Sequence, residues 1–328
     1  MTQPVRWGIL GTGGIASAFA TDLLANGFEL RAVGSRSNDS AAEFASRFGD
    51  PVAHGSYEAL AADPDVDAIY VATPHPFHEE HALLAIRGGK HVLVEKPFTL
   101  NEAQARTLAR AADEAGVVLL EAMWTRFLPH MVRIREIIAA GTLGEVRTVL
   151  ADHNQLLSAD PAHRMNNPAL GGGALLDLGI YPISFAVDIL GLPTRVLASS
   201  SPTATGVDRS TAVILEHDGG AQSVLHMALD TAGPNTAAVI GTAARIEIDR
   251  TWYAPTTFRV IGPDHTIIEE FEHSVHSRGM QYQAWELERL VAAGDGESPL
   301  LPVGQTVAIM GVLDEVRRQI GLVYPGGL

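Results

Sequence analysis

Three side chains have the types and spacing needed to move a proton and orient a hydroxyl group. Asp177 and Tyr181 lie four residues apart in GGGALLDLGIYP (171–182), where a flexible glycine run is expected to lead into a helix. That spacing places a carboxylate and a phenol one turn apart on one helix face, where they could hold adjacent substrate hydroxyls. Lys96, in Glu95-Lys96-Pro97, follows an expected strand and could lower the pKa of a neighbouring phenol. Taken alone, these segments also fit a polar helix face and a surface lysine.

A glycine-rich turn near the amino terminus predicts a dinucleotide site. The segment GTGGIA follows an apolar strand and opens a helix. Its first glycine permits a tight turn, its second lets a pyrophosphate approach the backbone, and the helix N-terminus offers N–H groups to an anion. An ordinary glycine turn is the alternative, but the strand and helix context favours cofactor binding. The predicted contacts are Gly11, Thr12, Gly13, Gly14 and Ile15.

The end of the second strand bears on the choice between NAD and NADP. It reads Gly34-Ser35-Arg36-Ser37, without the carboxylate that usually binds the ribose 2′-hydroxyl of NAD. Arg36 offers a bidentate fork, and Ser35 and Ser37 offer hydroxyls, which suit a 2′-phosphate. The sequence therefore favours NADP and leaves NAD possible; the alternative is a solvated loop arginine.

The elements that must position these groups fall into two predicted domains. Residues 1–123 alternate short β-branched strands with Ala-rich helices, which is typical of a doubly wound parallel sheet in an α/β fold. Residues 124–328 combine a few helices with a long strand-rich tract, which predicts an α+β domain on an open, mostly antiparallel sheet. The expected strands are Val5–Leu10, Leu30–Ser35, Asp67–Thr73, His91–Glu95 and Val117–Glu121 in the first domain, and Glu145–Asn154 and six between Thr211 and Phe271 in the second; the expected helices include Asn101–Ala115, Pro129–Ala140, Gln281–Ala293 and Gln305–Gly321.

Composition excludes several classes of protein. With 328 residues, 46% of them hydrophobic, the chain can bury substantial cores and is not disordered. A formal charge of −15 disfavours nucleic acids and anionic lipids as partners. The absence of cysteine excludes thiolate chemistry, so redox chemistry must use a cofactor. Without a leader-like segment or an uninterrupted apolar run of about 18 residues, we expect a cytoplasmic protein with no membrane partner.

Taken together, GTGGIA, EKPF (95–98) and GGGALLDLGIYP resemble the glucose-fructose oxidoreductase, inositol dehydrogenase and MocA-like (Gfo/Idh/MocA) family over nearly the whole chain. The segment EAMWTRFLP (121–129), with Tyr181, is similar to its branch of dimeric dihydrodiol dehydrogenases and NADP-dependent D-xylose dehydrogenases. Many members carry His where this chain has Tyr181. The resemblance implies a Rossmann domain followed by a sheet whose outer face forms a homodimer interface.

The resemblance also implies roles for individual residues. Lys96 and Tyr181 match the catalytic pair, and Asp177 matches a carboxylate that orients the substrate. No metal is implied. For the histidines, the alternative is a polar helix start. The implied cofactor contacts are Thr73, Pro74, His75, His78, Glu95, Lys96, Trp124 and Arg126, and the far wall of the substrate pocket is expected from His153, Met165, Asn166 and Tyr282.

The expected function is hydride transfer between a nicotinamide cofactor and a sugar-like or vicinal diol or carbonyl substrate. Tyr181 would serve as general acid/base with Lys96 as its partner. The alternative is a non-catalytic, dinucleotide-binding corepressor of the same fold, which would not need Lys96, Asp177 and Tyr181 together.

Overall fold

The structure, a computed structural model, describes residues 4–325. Their contacts form two compact units, one comprising residues up to Trp124 with His276–Val307, the other Thr125–Val275 with the residues from Ala308 onwards. The prediction placed residues 276–307 in the second domain, whereas their contacts group them with the first unit.

A six-stranded parallel sheet forms the centre of the first unit in the described part of the chain. Its order, β3-β2-β1-β4-β5-β6, reverses at β1, as expected of a doubly wound fold. The central strands are apolar and buried because helices cover both faces. Strand β3 was not predicted from its three residues. The strands are β1 Arg6–Leu10, β2 Glu29–Gly34, β3 Val52–His54, β4 Ala68–Val71, β5 His91–Glu95 and β6 Leu119–Ala122.

Neighbouring residues define both ends of helix α5 (Glu102–Ala115) in the first unit. The Asn101 side chain accepts a hydrogen bond from the Gln104 N–H at 2.9 Å and caps α5, and Gly116 ends that helix at φ +64°. The helices are α1 Gly14–Ala25, α2 Asn38–Arg47, α3 Tyr57–Ala61, α4 His78–Arg87, α5 Glu102–Ala115 and α8 Gln281–Ala293; α9, Val303–Ile320, begins in this unit and continues in the second.

Two polar contacts explain why α8 belongs to the first unit. The buried Asp22 carboxylate accepts hydrogen bonds from the N–H groups of Arg278, at 3.2 Å, and Met280, at 2.7 Å, just before α8. The Trp7 indole donates to Glu288 of α8 at 3.0 Å. Such long-range partners are not visible in a periodicity pattern.

The second unit contains an eight-stranded sheet of order β14-β13-β12-β11-β7-β10-β9-β8. Its pairs are antiparallel except the central β7–β10 pair, which is parallel, so the prediction of a mostly antiparallel sheet is confirmed. Strand β8 was missed because its Ser-rich segment is only partly buried. The strands are β7 Val146–Asn154, β8 Arg195–Pro202, β9 Asp208–Glu216, β10 Gln222–Ala228, β11 Ala237–Gly241, β12 Arg245–Ile248, β13 Phe258–Ile261 and β14 Ile267–Phe271.

Helices α6 (Pro129–Ala139) and α7 (Ile180–Leu190) belong to the second unit. The segment Pro168–Leu190 has the length and apolar composition of a membrane span, but 83% of its apolar window is buried inside the protein. Along β7, Val149, Ala151 and His153 are buried, while Leu150 between them is exposed. This alternation directs His153 to the buried side of the sheet.

Candidate active site

The glycine turn after β1 has the geometry of an anion site. Gly11 has φ +111°, and a Cβ there would lie 2.9 Å from the Ala72 carbonyl oxygen, so the position requires glycine. Gly13 is the N-cap of α1 and has no side chain to satisfy the first-turn N–H groups. A Cβ at Gly13 or Gly14 would meet open space. Thr12 and Ile15 are half-buried in the same turn, and the helix N-terminus is therefore suited to a pyrophosphate.

Arg36, at the end of β2, lines a cavity of about 440 Å³. Its guanidinium is hydrogen-bonded to the Tyr57 hydroxyl. Ser35 is buried, and its N–H donates to the His54 carbonyl at 3.1 Å, whereas the Ser37 side chain caps α2. The cavity is lined by Arg36, Gly55, Ser56, Tyr57, Glu58, Thr73, Pro74, Phe77, Glu80 and His81. Tyr57 and Phe77 were not predicted, because none of the motifs above includes them.

The loop from β4 to α4 brings together the predicted histidines. His78 is fully buried, and its ring nitrogens each lie 2.8 Å from a carbonyl oxygen, those of Thr73 and Pro97. His78 thereby connects the loop between β4 and α4 to Pro97, the residue after Lys96. Burial lowers the pKa of His78, and the neighbouring His75, also buried, acts in the same direction. Among residues 4–325, no group of three His, Asp or Glu side chains is arranged to hold a metal ion.

Glu95 and Lys96 lie at the carboxyl end of β5, the edge where open α/β sheets bind ligands. The Tyr70 hydroxyl donates to the buried Glu95 carboxylate, which also accepts from the Lys96 N–H at 3.1 Å. Burial raises the pKa of Glu95, and the Lys96 charge opposes that shift. Glu95 therefore fixes the backbone from which Lys96 extends.

Only two lysines occur in the sequence, and they bracket β5. Lys90, before the strand, donates to the carbonyls of Asp63 at 2.6 Å and Val66 at 2.8 Å, which is a structural role. Lys96, after it, is half-buried at the ligand-binding edge. Lys90 is thus held by backbone carbonyls, whereas Lys96 lies at the edge of the sheet where ligands bind in open α/β folds.

Asp177 and Tyr181 lie on a continuous helical segment of the second unit, as predicted. Leu175–Gly179 forms a π-helical turn that leads directly into α7, so the two side chains remain about one turn apart. Both are buried, and the Arg164 guanidinium lies 3.4 Å from the Asp177 carboxylate. The pair thus combines an ionisable phenol with a carboxylate that has a cationic neighbour.

Two further aromatic side chains surround Tyr181. The His153 ring stacks on Tyr253 with centroids 3.7 Å apart and meets Tyr181 edge-on at 5.0 Å. The Gln155 amide lies 2.9 Å from the His153 Nε2 atom. Burial raises the pKa of Tyr253. His153 was predicted from the sequence, whereas Tyr253 was not, because it lies in a loop without a motif.

The other predicted wall residues lie in different surroundings. The Asn166 amide donates to the carbonyls of Ser158 and Asp160, at 2.8 and 2.9 Å. The Met165 carbonyl accepts from the Gly173 N–H at 2.9 Å, while the Tyr282 ring packs against Trp285 in the first unit. Their contact with substrate stays a prediction.

Trp124 and Arg126, predicted to contact the cofactor, fall in different units. Trp124 is buried, with the Arg278 guanidinium 5.4 Å from its ring centroid. Arg126 is 3% exposed, donates to the Ser184 carbonyl at 2.8 Å and lies 3.3 Å from the Asp188 carboxylate. Both of those partners are on α7. Arg126 therefore anchors the helix that carries Tyr181, and its contact with the cofactor stays a prediction.

The glycine run before this segment is not the flexible tract expected from sequence. Residues 171–173 are buried, and their N–H groups donate to the carbonyls of Pro168, Asn167 and Met165 at 3.2, 3.1 and 2.9 Å. A Cβ on Gly172 would lie 2.7 Å from the Met165 carbonyl oxygen. The glycines are needed for close backbone packing.

Comparison with known proteins agrees with the two-unit architecture. Residues 5–123 match the Gfo/Idh/MocA family model described as "Oxidoreductase family, NAD-binding Rossmann fold", and residues 131–247 match the model of the family's C-terminal domain. The chain belongs to this family. This Gfo/Idh/MocA protein is thus an oxidoreductase with a nicotinamide-binding Rossmann fold, as the sequence resemblance implied.

Named relatives cover almost the entire Gfo/Idh/MocA chain. It is 37% identical to trans-1,2-dihydrobenzene-1,2-diol dehydrogenase from Mus musculus, over 98% of both chains. It is also 37% identical to D-xylose 1-dehydrogenase (NADP(+)) from Hypocrea jecorina, over 98% of this chain and 93% of that one. Among solved structures, a 3-ketoreductase from Actinomadura kijaniata in complex with NADP and TDP-benzene is similar, with TM-score 0.85, 29% identity and coverage of 97% and 98%. The branch predicted from sequence is confirmed.

Proposed function

We propose that the protein transfers hydride reversibly between NADP and a carbon of a sugar-like or vicinal diol or carbonyl substrate, with Tyr181 as general acid/base. The observation that carries this proposal is the buried Asp177–Tyr181 pair, one turn apart at the start of α7. Asp177 accepts a hydrogen bond from one substrate hydroxyl and so orients the neighbouring one toward Tyr181.

Proton transfer requires a phenol whose pKa is below its ordinary value of about 10. In oxidation, the substrate hydroxyl gives its proton to the Tyr181 oxygen as hydride leaves the carbon for the nicotinamide; in reduction, Tyr181 returns the proton. An ammonium group beside the phenol favours the phenolate, and we assign this role to Lys96. The Lys96 N–H donates to the Glu95 carboxylate, which holds the backbone from which the lysine side chain extends.

The proposed cofactor preference rests on Arg36 and its cavity. A guanidinium held by Tyr57 just after β2, in a segment (34–37) that itself carries no carboxylate, suits a 2′-phosphate. The names of the D-xylose dehydrogenase and 3-ketoreductase relatives, both of which include NADP, support the same choice.

The substrate class follows from the groups around Tyr181. Hydrogen-bonding atoms are carried there by the aromatic rings of His153 and Tyr253 and by the amide group of Gln155. Such a wall favours a polyhydroxylated substrate over a purely apolar ring, because polar side chains can exchange hydrogen bonds with its hydroxyls. We therefore place sugars before aromatic dihydrodiols.

The test is NADPH formation at 340 nm with aldopyranoses, inositols and trans-dihydrodiols, comparing NADP+ with NAD+. We expect turnover with a sugar and a preference for NADP+. Binding of NADPH without turnover across the panel would support the corepressor function instead. A second test uses amine-selective labelling with mass spectrometry, since Lys96 has Lys90 as an internal control. NADPH should protect Lys96 from labelling; equal labelling with and without NADPH would contradict its placement beside the cofactor.

We also propose a homodimer formed through the exposed face of the eight-stranded sheet. Leu150, Val224, Ile214 and Leu197 are direct neighbours on successive strands β7, β10, β9 and β8, and all four are exposed. A continuous apolar row of this kind marks an interaction surface. Light scattering should give twice the chain mass for the wild type and a monomer for Val224→Asp; a monomeric wild type would contradict the proposal.

A further inference from the structure

A buried carboxyl group at the start of β9 contacts the segment that carries Asp177 and Tyr181. Asp208 is 3% exposed, and its Oδ2 atom accepts hydrogen bonds from the Leu175 N–H at 2.7 Å and the Thr211 hydroxyl at 2.8 Å. The Ala174 N–H also bonds to this carboxyl group. Asp208 thus caps the first turn of Leu175–Gly179 from a strand 33 residues away in sequence.

The backbone is built around this carboxyl group. Gly173 has φ +118°, and a Cβ there would lie 2.1 Å from the Asp208 Oδ1 atom. Oδ1 is buried and finds no hydrogen-bond donor among the described residues. The contact therefore requires a glycine at 173, because a side chain there would collide with the Asp208 carboxyl group.

Two ionisable groups from the C-terminal segment face the same region. The Tyr324 hydroxyl donates to the Gly172 carbonyl at 2.7 Å, and its phenol lies within electrostatic range of both Asp208 and Arg317. The Arg317 guanidinium lies 5.4 Å from the Tyr324 ring centroid and pairs with Asp314. Burial raises the pKa of Tyr324, so that phenol stays neutral in the physiological range.

We infer that Asp208 is a positioning residue whose ionised carboxylate fixes the first turn of the segment bearing Asp177 and Tyr181, and that protonation weakens this attachment. The inference rests on the proposed function only where it concerns turnover. A charged acceptor binds N–H groups more strongly than a neutral carboxyl does. Burial raises the pKa of Asp208 to about 7, against the opposing hydrogen bonds from Thr211 and Leu175. The attachment is therefore expected to change in strength across neutral pH.

The first test measures the attachment without any assay of activity. Hydrogen–deuterium exchange of a peptide spanning residues 174–178 is followed between pH 5.5 and 8.5, after correction for the intrinsic pH dependence of exchange. For local openings that break these hydrogen bonds while Asp208 stays buried, we expect wild-type protection to rise about tenfold across pH 7, and Asp208→Asn to show the low-pH level throughout. Equal protection in wild type and Asp208→Asn at pH 8.5 would overturn the inference.

The second test measures turnover. For the wild type, kcat is expected to fall on the acid side with an apparent pKa near that of Asp208, and Asp208→Asn should lose this limb while keeping the KM for NADP+. A role in folding alone would lower kcat by the same factor at every pH. Thr211→Val removes one hydrogen bond from the carboxylate but keeps its charge, so it should move the acid limb upward by about one pH unit. An unmoved limb in Thr211→Val would overturn the inference even if Asp208→Asn failed to fold.

The two tests separate the inference from the proposed function. If exchange follows the expected pattern but no substrate is turned over, the attachment stands and the catalytic role of Tyr181 fails. If turnover is normal and exchange is independent of pH and of Asp208, the inference fails alone.

Discussion

The Arg126→Met variant tests whether Arg126 anchors helix α7 or contacts the cofactor. The Arg126 side chain is 3% exposed, donates to the Ser184 carbonyl at 2.8 Å and lies 3.3 Å from the Asp188 carboxylate, whose side chain is 7% exposed. Removing one member of a buried ion pair usually costs about 3–5 kcal/mol, because the other charge is left uncompensated. Asp188 keeps a second partner, Arg135, at 2.7 Å, so we expect the free energy of unfolding to fall by about 3 kcal/mol. For a unit of this size that corresponds to a Tm lowered by about 6–12 °C.

The assay is thermal and urea unfolding of the cofactor-free protein. Arg133→Met is the matched control, since Arg133 pairs with Glu269 and Glu136 but its side chain is 40% exposed, and such pairs contribute less than about 1 kcal/mol. An Arg126→Met protein as stable as Arg133→Met, but with weakened NADPH binding, would refute the anchoring argument and support the predicted cofactor contact.

Three other changes have definite expected outcomes. Gly11→Ala should lower the free energy of unfolding by more than about 1 kcal/mol, because Gly11 has a positive φ and a Cβ there would meet the Ala72 carbonyl. A Cβ at Gly13 would meet open space, so Gly13→Ala should leave the Tm unchanged and weaken NADPH binding, measured by fluorescence. Equal Tm values for the two variants would contradict this prediction. Arg36→Ala should raise the KM for NADP+ about tenfold or more and leave that for NAD+ nearly unchanged, because a charge-assisted bond to the 2′-phosphate is lost; a parallel change in both KM values would count against 2′-phosphate recognition. Burial raises the pKa of Asp208 from about 3.9 in the unfolded chain to about 7 in the folded protein, because the cost of burying the charge outweighs the hydrogen bonds to the ionised form. The contribution of Asp208 to the free energy of unfolding is therefore complete below about pH 4 and is lost as pH rises through 7, by up to about 4 kcal/mol, even though the Leu175 N–H binds the ionised carboxylate more strongly than the neutral one. Urea unfolding of wild type and Asp208→Asn at several pH values should show their difference changing over this range, and a constant difference would exclude the shifted carboxyl.

Local patterns predict most of the elements around the site. The glycine turn, the β5 edge with Lys96 and the Asp177–Tyr181 spacing each depend on neighbours in sequence, and the structure places each of them on the expected element. Strands β3 and β8 were missed because short or Ser-rich segments carry no clear alternation of buried and exposed residues.

The remaining features depend on contacts between distant parts of the chain. Asp208, Tyr253 and Tyr57 reach the predicted residues only through tertiary structure, as does Asp22 in holding α8 to the first unit. The glycines at 171–173 looked flexible because their composition is that of a linker, yet close approach of backbone and carboxyl group is what requires them. The Arg126 side chain likewise shows its α7 partners only in the folded protein.

The central claim, that Tyr181 transfers the proton, is tested most directly by comparing Tyr181→Phe with the wild type on the sugar that the 340 nm panel identifies. Loss of a general acid/base should lower kcat by about 10²–10⁴-fold, with NADPH binding and Tm unchanged. Loss of the general acid/base predicts a decrease of at least about 10²-fold. A kcat for Tyr181→Phe within about threefold of the wild-type value would therefore contradict proton transfer by Tyr181.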